Sequence, residues 1–122
     1  VKFKIIALQL LLLMAFSLNA QQPTTKIDTG VASYYALKFH GRKTASGEIF
    51  HKDSLTAAHK TLPFGTKVRV TNLKNNKSVI VKINDRGMRG KNRIIDLSPG
   101  AAKEINMMGS GLIKVKVEVL EK

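Results

Sequence analysis

Alternating apolar and polar positions mark the second half of the chain. Val79, Val81 and Ile83 recur at every other position within Ser78–Gly87, so they share one face of a strand. Val68 and Val70 do the same over 67–73. In the last stretch Ile113, Val115, Val117 and Val119 point one way, with Lys114, Lys116 and Glu118 opposite. Lys74-Asn75-Asn76-Lys77 reads as a hairpin connection, because Asn tolerates positive φ. Shorter strand patterns occupy Val31–Tyr35 and Arg93–Leu97. A helix is expected from Ser98, a good N-cap, with Pro99 at its first position. Ala101, Ala102, Ile105 and Met108 form its apolar face, and Gly109 or Gly111 ends it. Ser54–Lys60 reads as one further short helical turn. About six one-faced strands with one or two short helices predict a mainly-β fold, closed into a small barrel that exposes no edge.

The first residues have a different character. Lys2 and Lys4 precede Ile5–Leu18, which is apolar except for Gln9 and Ser17, and Ala20 follows. This predicts an export signal over 1–20, since the run is short for a membrane span of roughly 20 apolar residues. Gln21–Thr29 is polar and reads as a flexible tether, leaving 30–122 as the folded domain. A periplasmic or secreted, envelope-associated protein is expected, with no stable membrane insertion after signal cleavage. The chain has no cysteine, which excludes a disulfide scaffold.

Charge narrows the partners. The chain carries 21 Lys and Arg against 8 Asp and Glu, a net charge of +13. Such a balance favours anionic partners. Export turns that expectation from nucleic acid toward an anionic wall polymer or a membrane surface.

Candidate chemistry gathers at the end of the 78–87 strand. Asp85 stands at its mouth, where a rigid element holds a carboxylate in place as catalysis requires. Asn84, Asp85 and Gly87 are equally ordinary turn residues. The loop Lys38–Asp53 is long for so small a domain, which points to binding, and it carries His40, Arg42, Thr44, Ser46, Glu48, Phe50 and His51. Glu48, His59 and Asp85 could cooperate. Cleavage of a glycosidic bond needs a carboxyl that keeps its proton near neutral pH. Burial or a neighbouring carboxylate favours that, and nearby cations oppose it. Against this stand a solvated loop charge for Glu48 and a satisfied core histidine for His59. Asp96 either serves the cleft or ties down the strand-to-helix junction. His40, His51 and His59 lack ligand spacing, and Gly-rich phosphate loops and Gly-x-Ser-x-Gly are absent, so no metal or cofactor is expected. Arg42, Lys43, Arg86, Arg89 and Arg93 suit a carboxylate or, alternatively, solvent.

Taken together, several segments resemble the rare lipoprotein A (RlpA-like) family. They are Gly30–Tyr35, Phe39–Glu48, Leu55–His59, Thr61–Thr66, Val70–Leu73, Ile83–Gly87 and Arg93–Ser98, in family order over nearly all of 30–120. The resemblance implies a six-stranded double-psi β-barrel and a peptidoglycan lytic transglycosylase acting on peptide-poor glycan strands. It places Asp85 as acid and base, with Glu48 and His59 beside it. Protonation of the oxygen between N-acetylmuramic acid and N-acetylglucosamine, then attack by the muramyl C6 hydroxyl, would leave a 1,6-anhydro end without metal or cofactor. Tyr34, Arg42, Thr44, Ser46, Asn84, Arg86 and Arg89 are the expected substrate contacts, and Asp96 looks structural. Two departures bear on the rim. Tyr34-Tyr35-Ala36 stands where many members have Trp-Tyr-Gly, and Gly87-Met88-Arg89 replaces a Gly-Pro-aromatic run. The family's lipidated cysteine and C-terminal glycan-binding domain have no counterpart, so a soluble exported monomer is expected. The alternative function is a non-catalytic, expansin-like wall-glycan-binding module.

Overall fold

The computed structural model describes residues 24–87, 90 and 92–120. The expected export signal over 1–20 and the contact residue Arg89 lie outside them. Six strands are present among the described residues: β1 (Thr24–Tyr34), β2 (Thr56–Ala58), β3 (Lys67–Asn72), β4 (Ser78–Asp85), β5 (Arg93–Leu97) and β6 (Ile113–Leu120). They close into a barrel in the order β1-β5-β2-β4-β3-β6. The pairs β1/β5 and β2/β4 are parallel and the other four antiparallel. This is the mainly-β closed barrel that alternation predicted, and closure leaves no strand edge to be protected by other means.

The interior follows from period two. Val79, Val81 and Ile83 of β4, Val68 and Val70 of β3, and Val115 and Val117 of β6 are all buried and form one core with Ile95, Leu97 and Ala57. At roughly 1.5–3 kcal/mol for each fully buried Val or Ile, this burial is the principal source of stability in a chain without disulfides. The β3–β4 hairpin turns at Asn76, which takes φ 62° as its sequence suggested. Helix α1 (Pro99–Glu104) begins at Ser98, whose hydroxyl accepts from Ala101 N–H at 3.2 Å. Its far end is fixed from the hairpin, where Asn72 and Asn75 side-chain amides both donate to Ile105 O, at 2.9 and 3.1 Å.

Three expectations are corrected. The polar stretch read as a tether is ordered from Thr24, where β1 pairs antiparallel with β6. Lys26, Ile27, Asp28 and Thr29 are exposed, so the strand is held by backbone pairing that side-chain pattern does not report. Ser54–Lys60 is not helical: Thr56–Ala58 form β2, inserted between β4 and β5. Three residues are too few to display a period, and only neighbours on both sides make them a strand. Helix α1 stops at Glu104 rather than at a glycine. The chain turns there through Asn106, at φ 57°, before Met107 enters the core.

Candidate active site

Asp85 is delivered by an irregularity in the parallel β2/β4 pair. Ala57 aligns with Ile83 but Ala58 aligns with Asp85, so Asn84 is an extra residue on β4 and is buried. The shift re-aims Asp85 at the barrel end, as bulges beside functional sites do. The residue is then fixed from several sides. Oδ1 accepts the backbone N–H of Ala45 and of Arg86, each at 2.8 Å, and Oδ2 accepts the hydroxyl of Tyr35. Its backbone carbonyl accepts His59 N–H at 3.1 Å. Tyr35 is held in turn by stacking on buried Phe50, with ring centroids 4.6 Å apart, and by an edge contact with Phe39.

Ala45 reaches the carboxylate because the expected loop is a small hairpin. Lys43 bridges Ile49, Gly41 N–H donates to Phe50 O at 2.9 Å, and Thr44 N–H to Glu48 O at 2.8 Å. Gly47 takes φ 91° at the turn, a conformation a Cβ would strain. Ser46 N–H donates to Asn84 O at 3.2 Å, and Glu48 joins Lys82 Nζ at 2.7 Å, so the hairpin tip is tied to β4.

Asp85 opens onto a groove of about 730 Å³. Of the residues expected at the site, Tyr34, Arg42, Thr44 and Arg86 line it with Asp85. Ser46 and Asn84 support the hairpin from behind and are not among the lining residues. Glu48 is exposed and turned to Lys82. Lys82, above all by its hydrogen bond, holds the Glu48 carboxyl below its usual range. His59 lines a different, very small cavity with Lys26, Asp28 and Leu62. Its Nδ1 accepts the N–H groups of Thr61 and Leu62 at 3.1 and 3.0 Å. Burial first, then Lys26 and Arg86, push its pKa down, so the ring is neutral. His59 nevertheless touches the site through its backbone: its carbonyl accepts Arg86 Nη1 at 3.1 Å. The Arg86 guanidinium also lies over the Phe64 ring at 4.1 Å. The structure therefore brings together part of the expected set and separates Asp85 from the side chains of Glu48 and His59. Among the described residues no three His, Asp or Glu side chains converge as metal ligands, and no helix is long and apolar enough to cross a membrane.

The profile of the lytic transglycolase family matches residues 27–117, a stretch that includes the whole groove. The chain belongs to this family. Relatives called endolytic peptidoglycan transglycosylase RlpA are 55% identical over 91 residues in Campylobacter jejuni, 58% over 92 in Pasteurella multocida and 50% over 113 in Haemophilus influenzae. These alignments cover 75%, 75% and 86% of this chain but 33%, 31% and 39% of those proteins. The chain thus spans about a third of the length of the curated relatives it matches. Among solved structures, Streptomyces papain inhibitor superposes with a TM-score of 0.65 at 21% identity, covering 83% of this chain and all of that one. The expansin of Clavibacter michiganensis superposes at 0.64 and 20% identity, over 80% and 52% of the two chains. At that identity the likeness is one of fold, the double-psi barrel.

Within this family fold, several groove residues take roles that the sequence left open. Tyr35, Phe39 and Phe50, which by sequence suit either a stacking surface for sugar rings or a core, form the stack that carries the Tyr35 hydroxyl to Asp85. Burial and that bond push the Tyr35 phenol far above its usual pKa, so it is a donor. Asp96 lines the groove and accepts a hydrogen bond from Ser33 Oγ at 3.1 Å. Position left Asp96 between the cleft and the junction; it sits between Ile95 and Leu97, both fully buried, so it points to the other face.

Proposed function

We propose that this barrel is a peptidoglycan-cleaving module, a lytic transglycosylase that breaks the bond between N-acetylmuramic acid and N-acetylglucosamine and leaves a 1,6-anhydro end. The observation that carries the reading is Asp85, a carboxylate oriented by Tyr35, Ala45 and Arg86 on the floor of an open groove. Fixed geometry of this kind lowers the cost of bringing a proton-transfer group to one bond. The groove suits an extended, anionic glycan: Tyr34 and Phe39 line it, with Lys38 and Arg42 against the Phe39 ring, and Lys38, Arg42, Lys43, Arg86 and Arg93 surround the carboxylates. Relatives carrying the transglycosylase name share half or more of their aligned residues with this chain, which supports the same reading. Tyr34, Arg42, Thr44 and Arg86 are the substrate contacts in this account. Glu48, through Lys82, and His59, through its backbone, act as positioning residues. The protein works in the cell envelope, after export, as a monomer that needs neither metal nor nucleic acid.

The test is digestion of purified glycan strands, with and without stem peptides, read by mass spectrometry for anhydromuramyl ends. Wild-type protein should produce them, preferentially from peptide-free strands. Asp85→Asn should abolish them while strand binding in a pull-down persists. If wild type and variant both bind and neither cuts, the barrel is a glycan-binding module.

A further inference from the structure

Asp85 is not the only carboxylate on the groove. Ala58 of β2 aligns with Asp85 of β4 on one side and with Asp96 of β5 on the other, and Asp96 aligns with Ser33 of β1. Aligned residues in neighbouring strands project to the same face. Ser33, Asp96, Ala58 and Asp85 therefore form one row across four strands, and Ser33, Asp96 and Asp85 all line the groove. The residue between the two acids is Ala58, whose own side chain is a single buried methyl, and both acids act on the Tyr35 phenol beside them. Two strand spacings of about 4.8 Å place their backbones about 10 Å apart, with the side chains leaning into one groove. Carboxyl pairs that flank a glycosidic bond stand roughly 5–9 Å apart.

The two acids have opposite surroundings. Asp85 is an acceptor in all three of its side-chain hydrogen bonds. Asp96 accepts only from Ser33 among the described residues and is half-buried. Titratable and charged groups around it are Tyr35 after β1, Asp85 and Arg86 at the end of β4, Arg93 on its own strand, and Lys38, Arg42 and Lys43 from the hairpin side. Burial raises its pKa to about 6, the Ser33 bond and Arg93 restrain the rise, and the Asp85 charge adds to it. Glu48 has the reverse bias, being exposed and paired with Lys82.

We propose that Asp96 is the second reacting carboxyl of the groove, the proton donor that faces Asp85 across Ala58. This rests on the transglycosylase reading and assigns its two proton transfers to different residues. Asp96 gives its proton to the bridging oxygen as the C1–O bond breaks, and the bond's electron pair stays with that leaving oxygen. The C6 hydroxyl oxygen bonds to C1 and its proton passes to Asp85. Asp96 ends ionised and Asp85 protonated, and exchange with solvent restores both without any other reactant.

The experiment follows initial rates of anhydromuramyl-end formation against pH on peptide-free glycan strands, for wild type, Asp96→Asn and Ser33→Ala. Wild-type activity should decline as pH rises past about 6, where Asp96 loses its proton. Asp96→Asn should lose about 100-fold or more at every pH while still binding strands. The raised pKa also fixes a sign for stability. Asp96's contribution is fully present below its unfolded value of 3.8 and lost as pH rises through about 6. Asp96→Asn escapes that loss, so its melting temperature relative to wild type should rise between acid and neutral pH. A carboxylate held in its ionised form at the junction would give the opposite sign. Ser33→Ala removes a bond that favours the ionised form, so it should keep cutting with its alkaline limb displaced to higher pH. An active wild type with an equally active Asp96→Asn, or an unmoved limb in Ser33→Ala, overturns the assignment alone. An inactive wild type overturns it together with the transglycosylase reading. If Asp96→Asn fails to fold, the Ser33→Ala limb decides.

Discussion

His59 shows how a residue can matter to a groove it does not enter. Its ring accepts two backbone N–H groups of the following turn, and its own N–H and C=O join Asp85 and Arg86. His59→Ala removes the acceptor of the exposed Thr61 and half-buried Leu62 amides and should cost about 0.5–1.5 kcal/mol in urea unfolding, with a parallel loss of cleavage. His59→Asn offers an oxygen near the same place and should recover most of both. The sign of the pH effect follows from burial. With a folded pKa below the ordinary 6.5, the group's stability is complete above 6.5 and is lost as pH falls through the folded value. Wild type should therefore lose denaturation midpoint on acidification in a way His59→Asn does not.

Among the elements, β2 has the least to hold it by itself and the most resting on it. It is three residues long, yet it separates the strands that carry Asp85 and Asp96. Its approach is clamped to the start of α1. Ser98 Oγ donates to Ser54 O, Ser98 N–H to Thr56 O at 2.9 Å, and Gly100 N–H to Lys52 O at 2.8 Å. A Cβ on Gly100 would lie 2.7 Å from Asp53 O and 2.9 Å from its carbonyl carbon. That contact is with backbone, which cannot rotate away as a side chain can. Gly100→Ala should thus destabilise by about 1–3 kcal/mol despite alanine's better helix propensity. Chemical denaturation measures it, and a stabilised variant would show that the β2 approach is not clamped here. The 41–50 hairpin is the other element that makes the site, because its turn points one free amide at Asp85.

For the molecule as a whole, charge and shape agree on the kind of partner. The chain's net charge is +13, and the groove presents five cationic side chains beside two carboxylates. Attraction of this sort is screened over about 8–10 Å at ordinary ionic strength. Binding to glycan strands with free carboxylates should weaken steadily as salt is added in a pull-down. Binding that ignores salt would assign recognition to the aromatic faces instead.

Much of this architecture was legible along the chain. Period two located the walls at β3, β4 and β6, because a one-sided strand writes its burial into every second residue. Ser98-Pro99 announced the helix, because capping is local chemistry. Asp85 stood out because a charged end to an apolar strand is a local anomaly, and family resemblance supplied the barrel topology. Residues 24–29 and β2 were misread, since both are held by backbone pairing with partners far away in sequence. The side-chain environment of the site was likewise undetermined by sequence. Whether Glu48 or Asp96 stands beside Asp85 depends on how three strands align around Ala58 and on which cation each acid meets. Sequence determined which residues are able to build a barrel and carry a proton. Only the tertiary structure decided which acid is buried at the groove and which is neutralised outside it, because desolvation and charge pairing exist between segments and not along one.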